Sequence, residues 1–83
     1  MLEDKVEIIE KVINIIKENI ETDEVIIRST NLREDLDLDS FDVLMIMNEI
    51  DDEFSITLEE EDFQKVNTPQ EITDLLKAKY EVK

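Results

Sequence analysis

Apolar residues recur at spacings of three and four from the start of the chain: Leu2, Val6, Ile9, Ile13, Ile16 and Ile20 form one line, and Ile8, Val12 and Ile15 widen it. That period predicts a long amphipathic helix over residues 3–20, with its broad stripe turned to the core of a small bundle. Asp4 followed by Glu7 has the form of a capping box at its start. Over residues 21–39 the helical period fails, yet Val25, Ile26, Ile27, Leu32, Leu36 and Leu38 remain, so the segment reads as a packed loop. Loops of this length in small domains tend to be functional or to hide short turns. The helical period returns over residues 40–54. Val43, Ile46, Met47, Ile50 and Phe54 fall on one side, which supplies a core face. Phe41, Leu44 and Met45 project to the far side, beside Asn48 and Asp52, where a surface helix would ordinarily be polar. Such residues read either as scattered exposed hydrophobics or as a docking patch rimmed by acid.

Two further starts follow. Thr57 with Glu60 has capping form and predicts a short helix over residues 58–65, with Val66 packed beneath it. Thr68-Pro69-Gln70-Glu71 places a cap residue, a proline at the first helical position and an acid two residues later, which predicts a helix over residues 69–80. Ile72, Leu75, Leu76 and Tyr80 form its apolar side, and residues 81–83 are expected to fray. The pattern therefore predicts an all-α fold: a four-helix bundle of three longer helices and one short helix, with a long structured loop between the first and second, in a single domain over residues 1–83.

Composition narrows the chemistry. A chain of 83 residues allows one small domain, and 41% apolar residues separate it from a disordered acidic tail. There is no His and no Cys, so a catalytic triad, a zinc site and a disulfide are excluded, and a non-enzymatic role is expected. With 24 Asp or Glu against 9 Lys or Arg the net charge is −15. That charge repels nucleic acid and anionic lipid and steers basic protein surfaces toward the chain. No apolar run approaches the roughly 20 residues that cross a bilayer, and a cytoplasmic location is expected. Asp35, Asp37 and Asp39 match the first ligand positions of a calcium loop, but the turn position is Ser40 and the bidentate position is Ile46, so no specific metal site is expected.

The segment Glu34-Asp35-Leu36-Asp37-Leu38-Asp39-Ser40-Phe41-Asp42 joins the long loop to the central helix. Asp39 suits the N-cap and Asp42 the third helical position, which makes Ser40 the first helical residue. Its hydroxyl would then stand at a helix N-terminus, where an attached phosphodiester is well tolerated. A serine there also simply starts a helix. The segment resembles the E-D-L-G-x-D-S-L-D signature of the acyl carrier protein family. Asp51-Asp52-Glu53-Phe54 is similar to the acidic stretch and Phe that end the family's second helix, and the likeness continues through Ile56, the acidic short helix and Thr68. It covers about residues 25–80.

The resemblance implies that Ser40 accepts 4′-phosphopantetheine from coenzyme A through a phosphopantetheinyl transferase and then carries acyl groups as thioesters. A chain without a thiol needs such a group for thioester chemistry. It further implies that Asp39, Asp42, Asp51, Asp52 and Glu53 meet basic docking surfaces of acyl synthases and acyltransferases, that Phe41, Leu44, Met45 and Asn48 share that surface, and that the carrier is a monomer. The Val-, Ile- and Met-lined face of the central helix would shelter the acyl chain. Phe41 replaces the family's usual Leu, Met45 stands where common fatty-acid carriers place an acid, and Asp37 replaces the usual Gly. Two pathways stay open, fatty acid synthesis and a specialised polyketide-like or aminoacyl route. From a different class, an acidic interaction module or nucleic-acid mimic needs no prosthetic group.

Overall fold

The computed structural model describes residues 7–20 and 23–82. Four helices follow in order: α1 (Ile8–Asn19), α2 (Ser40–Phe54), α3 (Glu60–Phe63) and α4 (Pro69–Lys79), and the described residues contain no strand. The all-α bundle is as the apolar periods predict.

In α1 the core stripe runs through Ile8, Ile9, Val12, Ile15 and Ile16, with Ile13 and Ile20 packed at its margin. The predicted start is corrected. Glu7 is not the third residue of a capping box: its backbone is extended (φ −67°, ψ 154°), and its carbonyl accepts the N–H groups of Glu10 and Lys11 at 3.0 and 3.2 Å, which makes it the N-cap. Asp4, Leu2 and Val6 lie outside the described residues. At the other end Asn19 Nδ2 donates to the Ile15 carbonyl at 2.8 Å and satisfies one of the helix's orphan acceptors.

α1 packs against both α2 and α4. Val12 and Ile16 of α1, Ile46 and Ile50 of α2, and Ile72 and Leu76 of α4 are fully buried where the three helices meet. Two polar side chains are buried with them, and both are satisfied: Thr30 Oγ1 accepts from the Ile27 N–H at 2.8 Å, and Thr73 donates its hydroxyl proton to the Pro69 carbonyl at 2.8 Å.

The long loop is held by backbone hydrogen bonds and by two anchors, Ile26 and Leu32, both buried. The Leu32 N–H donates to the Asn67 carbonyl at 2.8 Å, and the Gln70 N–H to the Arg28 carbonyl at 3.1 Å, which ties the loop to the start of α4. Asn31 Oδ1 accepts from the N–H groups of Arg33 and Glu34, while Asp35 Oδ2 accepts from the Asn31 N–H, so a side-chain-built turn sits inside the loop. Val25 and Ile27, expected among the packed residues, are exposed instead. The backbone on either side of Ile26 is not helical, so burying Ile26 turns its neighbours outward.

The short helix is narrower than residues 58–65, and its cap differs from the expected one. Glu59 is the N-cap and makes no side-chain cap bond, so Thr57 does not open the helix. The residues before it are held elsewhere: Leu58 is buried and donates its N–H to Asp51 Oδ1 at 2.9 Å, and the Glu59 N–H donates to the Tyr80 hydroxyl at 3.0 Å. α4 opens as its sequence predicts. Thr68 Oγ1 accepts from the Glu71 N–H at 3.1 Å with Pro69 at the first position, and Glu71 Oε1 reaches back to the Asn67 N–H at 2.7 Å. The helix ends at Lys79, with Tyr80 as its C-cap.

Candidate functional site

Asp39 has extended backbone and its Oδ1 accepts from the Asp42 N–H at 2.9 Å, which fixes Ser40 as the first residue of α2. Ser40 is exposed. Three residues before Ser40, Asp37 has φ 55°, the left-handed region that the family signature fills with Gly and that Asp tolerates better than most side chains. Two of the crowded acids of this segment bond to backbone, Asp35 and Asp39 each accepting an N–H, and no group of three or more potential ligands among the described residues is placed to hold a metal ion.

Beside Ser40 opens a groove of about 360 Å³. α2 lines it with Ser40, Val43, Leu44 and Met47, the loop with Arg33 and Leu38, and α3 with Glu60 and Phe63, closing at Gln64. The hydroxyl and an apolar trough thus share one opening, which fits a long flexible group attached at Ser40 whose apolar end needs shelter. Of the α2 core face, Val43 and Met47 border this groove, while Ile46 and Ile50 belong to the bundle core. Arg33 and Gln64 were not among the residues the sequence pattern singled out, and Glu60 was marked only as a capping partner of Thr57. No periodic or motif signal marks them, because the groove is made by three segments brought together only in the fold.

The outer face of α2 carries Phe41 (69% exposed), Leu44 (38%) and Met45 (43%) in line with exposed Asn48 and Asp52. These positions repeat the spacing of the core-facing stripe, buried Val43, Ile46, Met47 and Ile50 with half-buried Phe54, two residues out of step, so α2 carries an exposed apolar group at Phe41, Leu44 and Met45 opposite its core face. Leu44 belongs to both the groove rim and the outer line. Asp42 is half-buried. Asp51 is half-buried too and accepts from the Leu58 N–H, so part of its role is structural. Glu53 pairs with Lys11 at 3.7 Å.

α3, the far wall of the groove, is clipped to the end of α4. Asp62 Oδ2 lies 2.5 Å from Lys79 Nζ and accepts the Tyr80 hydroxyl proton at 3.0 Å. The Lys79 hydrogen bond holds the Asp62 carboxyl below its ordinary value, against the desolvation that would raise it, and the Tyr80 hydroxyl acts in the same sense as Lys79. Reciprocally, the bond to Asp62 raises Lys79, and burial raises the Tyr80 phenol.

The Phosphopantetheine attachment site family matches residues 10–76. An acyl carrier protein from Thermosynechococcus vestitus is 30% identical over 74 residues, covering 88% of this chain and 91% of that protein. One from Buchnera aphidicola subsp. Schizaphis graminum is 33% identical over 72 residues, covering 87% and 84%. Among solved structures, one described as an acyl carrier protein from Mycobacterium tuberculosis superposes with a TM-score of 0.74 at 26% identity, covering 82% of this chain and 92% of that one. The capped serine, the groove beside it and these similarities converge: the chain belongs to the acyl carrier protein family, whose phosphopantetheine-attachment domain bears 4′-phosphopantetheine and acts as a carrier.

Proposed function

We propose that Ser40 is the attachment residue, that the holo protein carries acyl groups as thioesters, and that it is a monomeric, non-catalytic substrate of a phosphopantetheinyl transferase and of acyl synthases and acyltransferases. The observation that carries this reading is the exposed hydroxyl of Ser40 at the first turn of α2, opening onto an apolar groove. In attachment the Oγ–H proton is lost, Oγ bonds to phosphorus, and coenzyme A gives up its nucleotide half as the leaving group. The group then supplies the thiol that the chain itself lacks.

Partner enzymes with basic surfaces meet the acids around α2, Asp39, Asp42 and Asp52 foremost, which sets encounter rate and register more than affinity. The exposed Phe41 and Met45 support a dedicated pathway over bulk fatty acid synthesis, because they put apolar contact where a salt bridge would otherwise form. A nucleic-acid mimic needs no reactive serine, and family membership displaces it.

Incubation of the apo chain with coenzyme A and a broad-specificity transferase is expected to add one phosphopantetheine group, read by intact mass, and Ser40→Ala is expected to remain unmodified. A wild-type chain that gains no mass, or an alanine variant that does, overturns the assignment.

A further inference from the structure

Among the described residues, Arg33 is the one cationic side chain lining the Ser40 groove. It is half-buried, and its Nη1 is engaged on one side by the Val66 carbonyl at 2.8 Å and by Oδ1 of Asn67. Among the described residues no carboxylate lies within ion-pair distance of it, although the chain has 24 Asp and Glu. A guanidinium carries five N–H donors. Nε and Nη2 donate to no protein atom among the described residues. The rest of the lining mixes apolar Leu38, Val43, Leu44, Met47 and Phe63 with Asp39, Ser40, Glu60 and Gln64.

We propose that this groove is built for acyl groups bearing a neutral oxygen acceptor, a ketone or a hydroxyl, which Arg33 reads, and not for plain saturated chains. The inference rests on the carrier reading of Ser40 and deepens it by naming the cargo class. A saturated chain entering the groove displaces water from the free guanidinium donors and gives them nothing in return, and an unmet donor is costly. A ketone or hydroxyl oxygen at the same depth restores the bond while its methylenes still bury against Val43, Met47 and Phe63. An ionised cargo fits less well, because Asp39 and Glu60 line the same groove and the whole chain carries −15.

Arg33 also has a structural duty, tying the loop to the segment before α4, so the test must separate the two roles. Hexanoyl, mid-chain oxohexanoyl and adipoyl groups are loaded on Ser40 through hydrolysis-resistant coenzyme A analogues, loading is verified by intact mass, and the Arg33 guanidinium and groove amide protons are followed by NMR. With the oxo cargo, the Arg33 Nε–H is expected to exchange with water roughly fivefold more slowly than with hexanoyl, the protection an ordinary hydrogen bond gives. Adipoyl is expected to give less protection than the oxo group. Arg33→Leu should erase the oxo-against-hexanoyl difference in the Val43, Met47 and Phe63 amide shifts. Asn67→Ala, which removes a latch partner and keeps the guanidinium, should preserve it. Equal responses to the saturated and oxo cargoes, or a stronger one to adipoyl, overturn the proposal, as does a difference that survives Arg33→Leu. Loading without discrimination defeats this inference alone. Failure to load on Ser40 defeats the carrier reading and this inference with it.

Discussion

Among the described residues three, Asp37, Ser55 and Glu81, hold left-handed backbone with φ between 55° and 58°, in a chain that contains no glycine at all. For an L-residue this conformation costs about 1–2 kcal/mol, less for Asp and Asn, whose short polar side chains bond locally. Ser55 is the C-cap of α2, and the turn it makes lets its N–H and that of Ile56 both reach the Asp51 carbonyl. Replacing Ser55 by Gly is expected to raise stability by about 0.5–1 kcal/mol, the relieved strain outweighing the added freedom of the unfolded chain. A urea midpoint that rises with Ser55→Gly and falls with Ser55→Val checks this, and a lower midpoint for the glycine variant refutes it. Asp37 was legible in the sequence as the residue standing where the family signature has Gly. The second duty of Asp51 was not: its carboxylate meets Leu58 only because the Ser55 turn folds the chain back, a partner that helical spacing does not foresee.

The longer helices were legible because each carries its own evidence: α1 and α4 an apolar stripe, α2 an Asp39 cap, α4 a Thr68-Pro69 start. α3 was legible only as an acidic stretch. Four residues are far below the length at which a helix persists alone, so its bounds follow from tertiary clips that no local pattern encodes. The clip of Asp62, Lys79 and Tyr80 is one of them. Asp62 is held below its ordinary carboxyl value, so its contribution is present at neutral pH and is lost as pH falls through and below the ordinary carboxylate range. Lys79 is raised, so its part persists below the ordinary lysine value and is lost only in strong alkali. A double-mutant cycle of Asp62→Asn and Lys79→Met, followed by thermal melting, is therefore expected to show a favourable coupling at neutral pH that vanishes in acid. Lys79 remains half exposed, so the coupling is small and weakens in salt. A coupling that persists once carboxylates are protonated contradicts the clip. The same logic explains why the groove was missed: it lies among Arg33, α2 and α3, and only the fold assembles it.

At the scale of the molecule, a net charge of −15 on 83 residues is an energetic burden on the compact state, because folding gathers carboxylates that the unfolded chain keeps apart. Little of it is compensated locally. The described ion pairs are those of Lys11 with Glu53 and of Lys79 with Glu59 and Asp62, and all involve lysines about half exposed. On the proposed function the acids left over would draw basic partner surfaces toward α2, so the charge that weakens the fold would also speed encounter. Screening should move the two in opposite directions. At about 0.1 M salt the screening length is roughly 10 Å, shorter than much of the molecule, so repulsion between distant carboxylates fades while contact pairs persist. Raising sodium chloride from low to moderate concentration is expected to raise the melting temperature, and each 1 kcal/mol of relieved repulsion corresponds to roughly 4–8 °C in a domain of this size. Over the same range the rate of capture by a basic transferase should fall. Asp52→Lys, which removes acid from the exposed face of α2, should flatten both dependences. A melting temperature indifferent to salt would mean the carboxylates are already balanced, and a capture rate indifferent to salt would detach the acidic face from partner encounter.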